Sequence, residues 1–162
     1  MAGSKYAKYI VTDLKFPESL QKKVDAGTIP IFCAPHTTQG LYLDSSIMQD
    51  AMFFSSCWYW PGYENNSGGG EPHVHDYDEI FGMTGTNPDD VRDLGGELEY
   101  WIEDEKFIIN NSFIAHIPKG TRHSPVILRK VTRPIFRFYV IAPDSKDRHL
   151  LHAGNPLAAN RE

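Results

Sequence analysis

Apolar positions along this chain come in short runs broken by turn-forming residues, without the long 3.6-residue stripes of a helical bundle. Lys5 to Leu14, with Tyr6, Tyr9, Ile10 and Val11, predicts a first strand. Pro17 to Val24 predicts a short helix, with proline in its first turn and Gly27 just past its end. Ile29 to Cys33 predicts a short apolar strand, and His36 to Asp50 fits strand or loop around Leu41-Tyr42-Leu43. Ala51 to Trp60 is aromatic and strand-like and ends at Pro61-Gly62. Asn65 to Gly70 predicts a glycine-rich loop, Pro72 to Thr84 a strand, and Gly85 to Gly96 a long polar insertion. Glu97 to Ile102 and Phe107 to Ile109 flank the acidic turn Glu103-Asp104-Glu105 as a hairpin. Ser112 to Ile117, His123 to Leu128 and Ile135 to Ile141 complete the strands.

Eleven prolines and thirteen glycines spread along 162 residues suit an all-β architecture, either a barrel or a double-sheet jelly roll, with one short N-terminal helix. The length predicts one domain over residues 1–162. Its barrel core would span about 51–142, preceded by N-terminal strands and the helix at 5–50 and followed by a polar tail at 143–162. The two polar loops, Asn65 to Gly70 and Gly85 to Gly96, are candidates for a mobile lid.

Charge narrows the partners. The formal net charge is −5, and the densest basic stretch, Arg129, Lys130, Arg133 and Arg137, is interleaved with apolar residues, so no footprint for nucleic acid is present. Those arginines read as edge protection or ion-pair partners. No apolar run approaches the roughly 20 residues of a membrane span. Cys33 and Cys57 read as buried free thiols, and Met1 to Asp13 carries no secretory pattern; the expected location is a reducing cytoplasm.

The chemistry concentrates in four residues. His73-Val74-His75 puts two imidazoles two residues apart, on one face of a strand. Glu79 keeps the same parity, and His123 follows the tight turn Pro118-Lys119-Gly120-Thr121-Arg122. Three imidazoles and a carboxylate suit one first-row divalent metal (Fe, Mn, Ni, Co, Cu or Zn) and are too rich in nitrogen for calcium. A chance match to the whole pattern is about one in a thousand, so the combination is informative where His-x-His alone is not.

These motifs resemble the cupin superfamily, in which a glycine, His-x-His, a glutamate and a further glycine precede Pro-x-Gly-x-x-His. Gly68 to Gly70, His73, His75, Glu79 and Gly85 supply the first motif, and Pro118, Gly120 and His123 the second. Ser67 stands where the leading glycine usually falls, the gap to Gly85 is one short, and Ile127 replaces a common asparagine. The resemblance implies an antiparallel cupin barrel with a mononuclear three-His, one-Glu site, Glu79 being both ligand and catalytic candidate. It also implies a small-molecule substrate and a homodimer. Dioxygenase chemistry is the first expectation, followed by lyase, isomerase or decarboxylase chemistry, or a non-catalytic binding module.

Other residues are weaker candidates. Trp58, Tyr59 and Trp60 read as core before cavity lining. Glu97, Glu99 and Trp101 read as solvent-facing, and a glutamate there serves as general base only if that face lines the barrel. His116 fits either a place beside the ligands or a buried, hydrogen-bonded one; Arg137 reads as an ion-pair partner before an anion-binding group. His36 is unplaced, and His149 and His152 belong to the tail.

Overall fold

Alternating side chains drive two antiparallel sheets together face to face. The computed structural model describes residues 5–13, 16–28, 34–65 and 70–141. Among these, β1 (Thr37–Leu43), β2 (Phe53–Tyr59), β3 (Glu79–Thr84), β6 (Phe113–Ile117) and β8 (Ile135–Ile141) form one sheet in the order β1-β2-β8-β3-β6. β4 (Asp93–Ile102), β5 (Glu105–Asn111) and β7 (His123–Val131) form the other, in the order β5-β4-β7. This is the double-sheet antiparallel jelly roll expected from the sequence, with one short helix, α1 (Glu18–Asp25).

The inner face of the larger sheet carries Phe53, Ser55, Cys57 and Tyr59 on β2, Phe81 and Met83 on β3, and Ile135 and Ile141 on β8, all buried. Leu94, Leu98, Tyr100, Leu128 and Val131 close over them from the smaller sheet. Each large aliphatic or phenyl side chain among these contributes about 1.5–3 kcal/mol of transfer free energy, which is why the alternation predicts the strands so well. The aromatic strand β2 splits by parity. Tyr59 is core, whereas Trp58 and Trp60 stack on each other on the outer face, ring centroids 5.9 Å apart, and do not line the interior.

Helix α1 ends as its sequence predicts, with Gly27 at φ +67° and the Gly27 and Thr28 amides donating back to the carbonyls of Val24 and Lys23. Its Leu20 is fully buried in a second cluster with Tyr42, Phe53, Tyr77 and Ile141. That cluster lies next to the site, because Tyr77 stacks on His75.

Three expectations change. The predicted first strand does not form: Ala7–Tyr9 is a single 3-10 turn, with Tyr6, Tyr9 and Ile10 more than half exposed. Among the described residues β1 is an edge strand that pairs only with β2, yet this segment does not add to it, and its apolar side chains stay exposed. The strand expected over Pro72 to Thr84 is regular only from Glu79, with one isolated bridge at His73. The insertion is shorter than 85–96, because β4 already starts at Asp93. It is also pinned. The Gly85 amide donates to Ser112 Oγ, Thr86 Oγ1 to the Pro134 carbonyl, and Asn87 Nδ2 to Asp93 Oδ2. Those bonds speak against a lid there; residues 66–69 of the other candidate lid, the strand at 29–33 with Cys33, and the tail from 142 lie outside the described residues. Cys57 is a buried free thiol. Among the described residues no helix is long and apolar enough to cross a membrane.

Candidate metal centre

Two backbone devices bring the histidines together. His73 and His123 exchange both N–H···O=C bonds, each 3.0 Å, which joins the segment before β3 to the start of β7 in the other sheet. The Gly120 amide donates to the His75 carbonyl at 2.8 Å and ties the second motif to the first. Gly120 sits at φ +82° in a turn closed by the Thr121 amide on the Pro118 carbonyl, a backbone position that favours glycine, and a Cβ there would meet nothing within 4 Å. The turn is held from both sides. Asp78 accepts from the Lys119 amide, and Glu103 at the β4–β5 hairpin tip accepts from the Arg122 amide.

The strand-parity route to the site is therefore corrected. His75 lies outside any strand, yet its ring reaches the same point, because its carbonyl is anchored by Gly120 and its ring stacks on Tyr77 at 4.5 Å. One donor nitrogen from each of His73, His75 and His123 lies within 4.8 Å of the others. Glu79 Oε2 is 3.4 Å from Nε2 of His75 and 3.4 Å from Nε2 of His123. Donors about 2.1 Å from one ion and at right angles to each other lie about 3 Å apart, so a single first-row cation would draw the imidazoles together from within 4.8 Å, with Glu79 already at 3.4 Å from His75 and His123.

Tautomers favour the same reading. His73 Nδ1 is 2.7 Å from the Glu71 carbonyl and His123 Nδ1 is 3.0 Å from the Thr121 carbonyl, so each Nδ1 carries a proton; Nε2 of neutral His73 keeps its lone pair, whereas His123 Nε2 shares a second proton with Glu79 that a metal would displace. Burial pushes the His75 imidazolium down to about 4 and also lowers His73, so both rings are neutral at pH 7. For His123, burial acts downward but is outweighed by the hydrogen bond and charge of Glu79, and the net shift is upward. Glu79 is held below its ordinary value: burial pushes it up, and hydrogen bonds from His123 and Tyr139 overrule that. Tyr139 donates to Glu79 Oε2 at 2.6 Å, a contact the sequence reading missed. The parity of β8, with Tyr139 two residues past Arg137 on the same face, was the available signal.

The weaker candidates separate cleanly. His116 is exposed on the outer face, 3.3 Å from Asp78, and takes no place beside the ligands. Glu97 is exposed, and Glu99 is taken up by Trp101 Nε1 and Arg129, so neither glutamate lines the interior; Leu98 and Tyr100 do. His36 is exposed, its ring beside Gly62. His149 and His152 lie outside the described residues. Arg137 departs from its expected ion pair: it faces inward, and no carboxylate pairs with it among the described residues.

No family model matches the sequence, and no curated protein matches it. Among solved structures the chain is similar to KdgF from a Halomonas species (15% identity over 70% of this chain and 84% of that one, TM-score 0.41). It is also similar to a predicted oxalate decarboxylase from Thermotoga maritima (17%, 65% and 78%, TM-score 0.42) and to an RmlC-like cupin from Shewanella frigidimarina (11%, 60% and 72%, TM-score 0.36).

Proposed function

We propose that this chain is a metal-dependent enzyme acting on a small organic molecule, with one divalent transition metal held by His73, His75, Glu79 and His123. The observation that carries the reading is the convergence of three imidazole donors within 4.8 Å, with a buried carboxylate 3.4 Å from two of them. A bound ion of this class supplies Lewis-acid or redox chemistry to a substrate oxygen. Four protein donors leave about two positions of an octahedral shell for ligands from outside the protein.

The chain's own residues prepare the site. The Glu71 and Thr121 carbonyls fix the tautomers of His73 and His123, and Tyr139 holds the Glu79 carboxylate in place. Burial keeps His73 and His75 neutral and available as ligands, while His123 gives up its proton to bind metal. Oxygenation is the leading reaction, with lyase, isomerase or decarboxylase chemistry on the same ligand set as the alternative.

Elemental analysis by plasma mass spectrometry on untagged protein, beside His123→Ala, tests the reading. About one transition metal per chain, lost in the variant, is expected. A redox-active element directs the search to oxygen uptake with hydroxy acids, diols and phenols, whereas zinc directs it to non-redox lyase and isomerase reactions. No metal after reconstitution refutes the proposal.

A further inference from the structure

The enclosed face of the larger sheet carries two polar side chains that neither the core nor the metal centre uses. The register aligns Gln39, Cys57, Arg137 and Met83 in one row across β1, β2, β8 and β3. Cross-strand partners share a face, and this face also bears Tyr59, Phe81 and Ile135, so the row points inward. The Arg137 guanidinium lies 5.5 Å from the Phe81 ring centre and 5.6 Å from that of Tyr139, and it donates to the Cys57 sulfur. Thiol and phenyl groups do not neutralise a cation, and no carboxylate reaches it among the described residues. Gln39 is in the same position. Its buried Nε2 and Oε1 have no hydrogen-bond partner, an arrangement folded proteins avoid unless something else meets the group.

Of this surface Arg137 and Tyr139 keep contact with accessible space, while the Gln39 amide, Cys57 and Met83 are closed off behind them. On the inner face of β8, Ile135 at 0% and Ile141 at 1% exposure close the two ends, while Arg137 and Tyr139 between them keep a partial exposure. Cys57 is short, so the longer Gln39 and Arg137 side chains can close over it from strands about 10 Å apart. Tyr139, two residues and about 7 Å along the strand from Arg137, bonds Glu79 of the metal centre. The guanidinium, the metal-binding carboxylate and the phenol between them thus share one interior surface.

We propose that Arg137, with Gln39 beside it, binds a carboxylate of the substrate, so that the barrel takes a small diacid whose other end carries oxygens for the metal. The substrate class rests on the metal-enzyme reading above; the anion seat itself does not. A planar fork of N–H donors matches the two oxygens of a carboxylate, and a single positive charge between aromatic walls suits a monoanionic group better than a phosphate dianion.

Calorimetric titration with malate and 2-hydroxyglutarate against lactate tests this, on wild type, Arg137→Met and Gln39→Met, with metal content measured on each sample. Wild type is expected to bind one of the diacids at least tenfold tighter than lactate. Arg137→Met should erase that preference and keep the wild-type metal content. Gln39→Met should weaken the diacid severalfold while raising the thermal midpoint, because it removes two orphaned polar atoms; it decides the matter if Arg137→Met does not fold. A preference for diacid that is absent in wild type or survives in both variants overturns the proposal, as does inorganic phosphate outcompeting the diacids. Wild type without metal overturns the metal-enzyme reading instead, and Arg137-dependent diacid binding to that protein still supports the seat.

Discussion

Tyr139→Phe removes one oxygen atom from the interior and leaves the ring that packs on Phe53 in place. The lost hydroxyl donates at 2.6 Å to Glu79, whose side chain is only 4% exposed, so water is poorly placed to substitute. A hydrogen bond to a charged group contributes about 1.5–3 kcal/mol, and phenylalanine recovers part of that by no longer burying a hydroxyl. The net loss is therefore about 1–2 kcal/mol. For a chain of this size that lowers the thermal midpoint by about 2–8 °C and the urea midpoint by about 0.5–1 M. The effect depends on pH in a stated direction. Glu79 titrates below its ordinary value in the fold, so the stabilisation is complete above the ordinary carboxylate range and is lost as pH falls through the lowered value. The variant should accordingly trail wild type at pH 7, and the gap should close as pH falls below about 4. Loss of such a supporting contact should also weaken metal binding by about 10–100-fold in a chelator competition. Urea melts of metal-free protein and the competition assay together decide. Equal stability at pH 7 and equal metal affinity would refute the role assigned to Tyr139.

His75→Ala should abolish stoichiometric metal binding while near-ultraviolet dichroism stays native, because the backbone bond from Gly120 to its carbonyl remains. Metal at wild-type stoichiometry in that variant would rule out the site. Gly85→Ala and Gly120→Ala should differ sharply in urea melts. A Cβ at Gly85 collides with the Asp93 and Leu94 carbonyl oxygens, both backbone, and should cost about 3 kcal/mol or more. At Gly120 a Cβ meets nothing, and only the left-handed conformation is penalised, by about 1–2 kcal/mol.

What the sequence determined by itself is chemistry and local form. The types and order of His73, His75, Glu79 and His123, the Pro118–Gly120 turn, the β4–β5 hairpin and the end of α1 at Gly27 all follow from spacing, turn residues and parity, which act over a few residues. The same local rules misplaced Lys5 to Leu14, where residues with strand propensity form a 3-10 turn that pairs with no described strand, and carried the strand back through His75, where the backbone bonds to Gly120 instead. Only the tertiary structure decided which faces meet. Parity shows that Glu97 and Glu99 oppose Leu98 and Tyr100, and that Arg137 and Tyr139 go together, but the direction of each face is set by the strands paired on either side. β8 lies between β2 and β3, and that placement turns Arg137 and Tyr139 inward toward Cys57, Phe81 and Glu79. The reciprocal backbone pair of His73 and His123 is likewise a contact across 50 residues of chain, and burial on both sides makes its imidazoles neighbours.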